Sequence, residues 1–317
     1  MQARVAREPM SGPGRVMRLL TLQPFAGGRI PLVILGLLVG AAVFADFLPI
    51  ADPRKSNLAA ILIPPFQSLE HPLGTDPIGR DVLSRLIHGA RVSLLIGFAS
   101  VTIAAVAGGF IGLVAGYRRG KLDDILMRIG DTQLSLPSFI LALTIVAIFG
   151  AGVVNVIIAL SIAGWVRFAR VVRSNVLPLH SAEYIEAARS LGCSTPRIML
   201  LHILPNIQSP IIVLATLVLG ANIISESSLS FLGLGIDPQI PSWGGMLAGG
   251  RLYLESAWWV ATFPGLAISL TVLSANMLGD WLRDALDPRT RMRLEVADSA
   301  GSPPTPAVMP LAPGSRP

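Results

Sequence analysis

Few residues in the sequence could carry out chemistry, and the nearest approach to a catalytic motif is a misspaced phosphate-binding loop. A loop of the form G-x-x-x-x-G-K-[ST] wraps phosphates with backbone N–H groups and supplies a hydroxyl to Mg²⁺. Residues 116–122 read GYRRGKL, so the two glycines are one residue too close and Leu122 replaces the hydroxyl. No H-E-x-x-H, G-x-S-x-G or cysteine cluster occurs. The sequence therefore predicts that the chain is not an enzyme and holds no cofactor.

Three polar residues, His71, Asp76 and His88, are the remaining candidates for a metal site. Their spacing matches no compact ligand motif, so we predict that no metal binds and that the histidines serve structure or solvent contact. Cys193 is the single cysteine, which excludes an internal disulfide. It lies in a polar stretch, where we expect a free cytoplasmic thiol.

A polar island at 181–206, between long apolar runs, predicts two short helices joined at a corner. We expect Ser181 to cap the first helix with its hydroxyl, and Gly192 stands where a left-handed residue would end it. Pro196 suits the first turn of the second helix, and Pro205 is expected to end it. Helical spacing gives each helix an apolar face. These faces comprise Tyr184, Ala187, Ala188 and Leu191 on the first helix, and Ile198, Leu201, His202 and Pro205 on the second.

The same island resembles the EAA signature of ABC importer permeases. Glu186-Ala187-Ala188 is followed after three residues by Gly192, and after nine more by the pattern His-x-Leu-Pro. In that family this loop is the coupling helix, which docks in a groove of a cytoplasmic ATPase subunit. The family usually has an aliphatic residue at the histidine position, but the oligopeptide, dipeptide and nickel branch often carries HILPN. The resemblance implies an ATPase-coupling role for Tyr184, Glu186, Ala187, Ala188, Gly192, His202, Leu204 and Pro205, with Glu186 either contacting the ATPase or bracing the loop.

Two further segments resemble the C-type permease subunits of dipeptide and oligopeptide importers. One is 71–95, which leads into an apolar run, and the other is 228–250, which is similar to the re-entrant segment that faces the binding protein. The resemblance implies a type I ABC importer permease fold. It also implies four partners: a related B-type permease as the second half of the pore, two cytoplasmic ATPase subunits, and an extracytoplasmic solute-binding protein.

Composition predicts a membrane protein without reference to any family. Of the 317 residues, 52% are hydrophobic and 14% are charged, whereas soluble domains carry about 25% charged residues. Mean hydropathy is +0.64 and the pI is about 10.4. Such a chain cannot present a polar surface all round, so a lipid bilayer must cover it. The basic residues are spread along loops, which indicates orientation signals rather than contacts with nucleic acid.

The apolar runs predict an all-α fold with six transmembrane helices. We expect an interfacial helix before the second span, close packing of the glycines in that span, and a tight turn at 150–152 between the third and fourth spans. Near span ends, we expect Glu226 to be solvated and Asp46 to lack a partner. The predicted spans are 30–48, 92–117, 135–149, 153–171, 207–224 and 257–278.

The distribution of lysine and arginine predicts the orientation. With six spans and a cytoplasmic amino terminus, 19 of the 25 basic residues fall on the cytoplasmic side and 6 outside, which follows the positive-inside rule. We therefore expect a multi-pass protein of the bacterial inner membrane with both termini cytoplasmic. The predicted units are a tail at 1–29, a first helix with an extracytoplasmic loop and interfacial helix at 30–91, a permease core at 92–282 containing the coupling loop 181–206, and a largely disordered tail at 283–317.

Together these patterns predict a permease subunit that forms half the pore of an ATP-driven importer for dipeptides or oligopeptides. Nickel, glutathione or another small solute is the alternative cargo. A gradient-driven secondary transporter would favour charges deep in the spans and inverted repeats, and an intramembrane enzyme would need polar pairs in mid-span; neither pattern is clear. The sequence alone leaves open the cargo, the pore-lining residues and the identity of the partners.

Overall fold

The computed structural model describes residues 26–286, and this part of the chain is helical, without a β-strand. The predicted all-α class is therefore confirmed for these residues. The predicted tails fall almost entirely outside them. The helices are α1 (Ala26–Val43), α2 (Val82–Arg118), α3 (Gly120–Leu134), α4 (Ser138–Phe149), α5 (Val153–Leu179), α6 (Glu183–Ser190), α7 (Gln208–Phe231), α8 (Trp243–Gly250) and α9 (Trp259–Leu286).

Four helical segments of the described chain are long and apolar enough to cross a bilayer. They are α2, α5, α9 and a continuous helical run over Thr195–Phe231 that contains α7. The bent pair α3 and α4 brings the number to five if it makes one crossing, and α1 is apolar but shorter. Several membrane crossings are thus present in residues 26–286, while the count of six stays a prediction.

α2 joins two predicted elements, the interfacial helix and the second span, in one helix. It begins behind Asp81, whose Oδ2 accepts a hydrogen bond from the backbone N–H of Ser84 at 2.7 Å. Its 37 residues extend about 55 Å, well beyond a hydrocarbon core of about 30 Å. The prediction of a separate interfacial helix was wrong, because the helical geometry is continuous from Val82 to Arg118. Gly89 keeps helical geometry and packs against the backbone of Ser242 and the ring of Trp243.

α2 packs against α5 along a row of glycines. A Cβ atom on Gly108 would lie 2.1 Å from the Trp165 carbonyl oxygen, and one on Gly112 would lie 2.3 Å from that of Ala169. Backbone therefore meets backbone, which is the close packing predicted for small residues between membrane helices. Gly109 does not take part, because nothing lies within 4 Å of the position of its Cβ.

The basic stretch after α2 is the helix α3, which bends by 83° into α4. Ion pairs attach α3 to α5: Arg173 binds Asp123 through both carboxylate oxygens, at 2.5 and 2.6 Å, and Arg170 lies 2.5 Å from Asp131. A turn at 150–152 joins α4 to α5, as predicted, with positive φ at both glycines. α5 begins at the predicted residue, Val153, but continues past the predicted end at 171 to Leu179.

Residues 44–81 form a folded loop against the first turns of α2. Asp46 is paired, contrary to prediction: its carboxylate lies 2.9 Å from Arg91 and 3.7 Å from His88 Nε2. The prediction missed these pairs because the partners are more than 40 residues away in sequence. The three metal candidates are likewise engaged separately, since His71 lies 3.1 Å from Asp81 and Asp76 lies 2.6 Å from Arg80. Residues 26–286 contain no His/Cys/Asp/Glu group suited to a metal ion.

The segment after α7 turns back into the helices. α8 is eight residues long, too short to span a bilayer. Trp243 at its start is fully buried, and its Nε1 donates a hydrogen bond to the Leu86 carbonyl at 2.9 Å. Leu232, by contrast, is 54% exposed and lines a cavity.

Candidate coupling site

The first half of the polar island is α6 followed by a glycine corner. Gly192 has φ +80°. Its N–H donates to the Arg189 carbonyl at 3.0 Å, and the Cys193 N–H donates to the Ala188 carbonyl at 3.1 Å. This pair of bonds is a Schellman motif, so the predicted left-handed end of the helix is confirmed. Nothing lies within 4 Å of a Cβ on Gly192, and the constraint is therefore backbone conformation rather than space.

The start of α6 and its buried face both differ from prediction. The helix begins after Ala182, which makes no side-chain cap, while the hydroxyl of Ser181 instead lies 3.4 Å from the Arg119 guanidinium. Ile185 is fully buried and Ala188 is 9% exposed. The apolar face that helical spacing predicts is divided, because α6 turns Ile185 toward α2 and α5: Ala188 lies inward, whereas Tyr184 is 46% and Leu191 85% exposed.

The second half of the island continues into the next span, so Pro205 does not end a helix. A helical turn at Thr195–Arg197 leads into a π-helix at Ile198–Ile203, and a 3₁₀ turn at Leu204–Ile207 leads into α7. Pro205 lies at the start of the 3₁₀ turn, where its missing N–H costs little stability.

The π-helix also explains the second misplaced face. The buried residues are Ile198, Ile203 and Ile207, separated by five and then four positions. A π-turn has i→i+5 hydrogen bonds, so it shifts the buried stripe beyond the positions that a 3.6-residue period predicts. Leu201, predicted inward, is 61% exposed as a result.

A cluster of rings and cations holds α6 to the end of α2, and no sequence pattern predicts it. The Arg189 guanidinium carbon lies 5.9 Å from the Tyr117 ring centroid, and the centroids of the His180 and Tyr117 rings are 5.3 Å apart. Arg189 also approaches His180 Nε2 at 3.4 Å. Burial, together with Arg119 and Arg189, lowers the pKa of His180 below its usual value. The neutral form of His180 is therefore favoured, and a neutral ring nitrogen can accept a hydrogen bond from Arg189. Burial raises the pKa of Tyr184 on the same helix.

The coupling residues implied by the resemblance divide into two groups. Tyr184, Glu186, Ala187, Gly192 and Pro205 are exposed, while His202 and Leu204 are partly buried and Ala188 is buried in the loop itself. The exposed side carries small and apolar side chains, which suits contact with a partner. Their role in coupling stays a prediction.

Comparison with known proteins identifies the class. The family of binding-protein-dependent transport system inner membrane components matches residues 108–292. The chain is 44% identical over 264 residues to the di/tripeptide transport system permease protein DppC of Pseudomonas aeruginosa, covering 82% of this chain and 87% of the relative. It is 49% identical over 224 residues to the glutathione transport system permease protein GsiD of Escherichia coli, covering 71% and 74%.

A solved structure shares the fold. The MetNI methionine ABC transporter in inward-facing form matches with a TM-score of 0.52 at 20% identity, covering 64% of this chain and 97% of that one.

The chain therefore belongs to the family of binding-protein-dependent transport system inner membrane components. It is a multi-pass inner membrane permease of an ABC importer, with the type I permease fold. The resemblance to ABC importer permeases is confirmed, and so is the prediction of a transport component rather than an enzyme, while the EAA loop itself stays a prediction. An importer of this class works with ATPase and binding-protein partners.

Proposed function

We propose that the chain is one of two different permease subunits that form the pore of an importer for dipeptides or oligopeptides. The observation that carries this proposal is 44% identity to a di/tripeptide permease over 82% of the chain. A second relative at 44% identity, from Alkalihalophilus pseudofirmus, is named a dipeptide permease. The other half of the pore is a related B-type permease, and a solute-binding protein delivers the peptide on the extracytoplasmic side.

The proposed topology has six spans and cytoplasmic termini. The spans are α1, α2, α4 with the α3 elbow, α5, the Thr195–Phe231 run and α9. The distribution of basic residues supports this orientation, because 19 of 25 fall on the side that carries the coupling loop. We propose the predicted units 1–29, 30–91, 92–282 and 283–317, except that the boundary at 91 falls inside α2 and does not separate two helices.

In the proposed mechanism, ATP closes two cytoplasmic ATPase subunits, which pull the coupling loops of the two permeases together. The chain itself needs no cofactor, and the ATPases bind ATP and Mg²⁺. The exposed face of α6, with Glu186 and Ala187, is the contact surface, and Gly192 fixes the corner. The unbroken helical run over Thr195–Phe231 supports a rigid relay from this surface into the membrane. Hydrolysis returns the pore to its inward-open state.

Glutathione is the second candidate cargo, because 49% identity to a glutathione permease over 71% of the chain favours it. Nickel complexes and other small solutes are further alternatives. Uptake of labelled dipeptide and labelled glutathione by the same reconstituted complex separates the two leading candidates.

The test of the coupling role compares Gly192→Pro with the intact chain by co-purification from the membrane. Proline fixes φ near −65° and removes the N–H, so it cannot adopt the φ of +80° at this corner. We expect the intact chain to retain the ATPases and a second permease, and the variant to lose the ATPases only. Gly109→Ala is the matched control, because its Cβ meets open space. An intact chain that brings down no ATPase would overturn the proposal.

A further inference from the structure

Glu226 is a buried acid without a cation, and this sets it apart within the described chain. Four carboxylates in residues 26–286 are 5% exposed or less. Three of them face a basic side chain: the pairs are Asp76–Arg80 at 2.6 Å, Asp81–His71 at 3.1 Å and Asp123–Arg173 at 2.5 Å. Glu226 is fully buried, and no basic side chain of the described residues lies within 4.0 Å of it. The prediction that Glu226 is solvated was therefore wrong.

The groups around the Glu226 carboxylate are three serine hydroxyls. Ser230 donates to Oε1 at 3.0 Å, and Ser93 and Ser227 donate to Oε2 at 3.3 and 3.4 Å. These bonds connect α7 to α2, but hydroxyls bring no positive charge. Hydroxyls alone leave a buried carboxylate without charge compensation, so such a group either takes up a proton or pairs with a cation. The arrangement is suited to receive a cation from outside the chain.

A cavity of about 730 Å³ lies next to this group. Its walls are mostly apolar, with Phe139, Phe231 and Ile268 among them, and serines provide its polar groups. Ser227 belongs both to the wall and to the carboxylate network, so the network reaches the cavity wall at this residue. The volume is within the usual range of about 300–1,000 Å³ for small-molecule sites.

We propose that this cavity lies on the cargo route and that Glu226 selects there for cargo carrying a positive charge, such as the ammonium group of a peptide. The inference rests on the proposed import of peptides. A carboxylate held behind an apolar wall attracts an ammonium group more strongly than it would in water. A helix of the second permease could also cover the cavity, but an apolar helix face would leave Glu226 without a cation. Arg251 contacts one residue of the cavity wall, since its guanidinium carbon lies 5.3 Å from the Phe231 ring centroid.

The experiment measures charge preference in the complete transporter. The complex with its ATPases, second permease and binding protein is reconstituted in proteoliposomes, and uptake of Ala-Lys and Ala-Glu is measured at saturating binding protein. The binding protein is the same throughout, so its own preference cancels when variants are compared with the wild type. We expect Glu226→Gln, which keeps the size and much of the hydrogen bonding, to lower the Lys/Glu turnover ratio about fivefold. Glu226→Asp keeps the charge, and its Lys/Glu turnover ratio should stay close to that of the wild type.

A second pair of variants leaves Glu226 untouched. Ser269, exposed on α9, lines the same cavity. Ser269→Lys supplies a cation and should lower the ratio, whereas Ser269→Asn should not. An unchanged ratio in both Glu226→Gln and Ser269→Lys overturns the inference. So does loss of the second permease from the Ser269→Lys complex, because the cavity would then be a subunit interface. A wild-type complex that imports neither peptide contradicts the proposed function instead.

Discussion

The two ends of α2 are fastened by different kinds of interaction. At the Val82 end, Asp81 caps the helix and Arg85, only 4% exposed, lies against Asp76 in the folded loop. At the Arg118 end, the Arg189 guanidinium lies over the Tyr117 ring, and the tilted His180 ring packs against the same ring. Arg119 contacts the Leu177 carbonyl and the Ser181 hydroxyl.

This difference separates a fixed end from an adjustable one. Breaking a buried ion pair is strongly destabilising, whereas an exposed cation–π contact contributes about 0.5–1 kcal/mol to stability. The Val82 end therefore resists displacement, whereas the polar contacts of the Arg118 end, which packs against the coupling loop, can shift at small cost. Between them the glycine row holds α2 rigidly against α5.

Breaking the rigid middle should have the largest effect. Gly108→Val would place side-chain atoms against the Trp165 carbonyl, which already lies 2.1 Å from the position of a Cβ. Because backbone cannot yield there, we expect α2 and α5 to separate and the yield of extractable complex to fall below about a tenth of wild type. Size-exclusion chromatography after detergent extraction measures this. Gly109→Ala, on the open side, should retain wild-type yield, and equal yields would contradict the packing argument.

Loosening the Val82 end should have the next largest effect. Asp76→Asn removes the charge that faces Arg80 and the buried Arg85. We expect a loss of about 3 kcal/mol in stability, because a buried cation is left uncompensated. Thermal unfolding of the purified complex tests this. Asp52→Asn is the control, since Asp52 is exposed and makes a local backbone bond, and it should change stability by less than about 0.5 kcal/mol.

The smallest of the three expected effects is that of acidification on the Arg118 end. The pKa of His180 is lowered by burial and by Arg119 and Arg189, with Glu186 acting in the opposite direction. The unfolded chain therefore takes up a proton at a higher pH than the folded one, and stability is lost as pH falls below about 6.5. Between pH 8 and 5.5 we expect the melting temperature of wild type to fall by on the order of 1 °C more than that of His180→Asn. A larger fall in the variant would refute the neutral histidine.

Features set by local chemistry could be predicted from the sequence. Gly192 and the turn at 150–152 follow from the freedom of glycine at positive φ. The α2 glycine row follows from the close packing of small residues in membrane helices. Each of these depends on neighbours within a few positions.

Features set by distant partners could not be predicted. Glu226 meets Ser93 from 133 positions away, and no periodic pattern reports such a contact. The π-helix at Ile198–Ile203 changed the buried face of the coupling loop, because a period of 3.6 residues was assumed where five residues separate the buried positions. The Tyr117, His180 and Arg189 cluster likewise joins three separate elements.

The π-helix changes which side of the helical run Thr195–Phe231 faces inward on either side of it. Each residue of an α-helix advances by about 100° around the axis, and one added residue in a wider turn changes the angular phase of everything beyond it. The coupling loop can thus direct Ile198 inward while α7 independently directs Glu226 inward at the far end. The π-turn therefore sets a fixed angular offset between the two halves of the run.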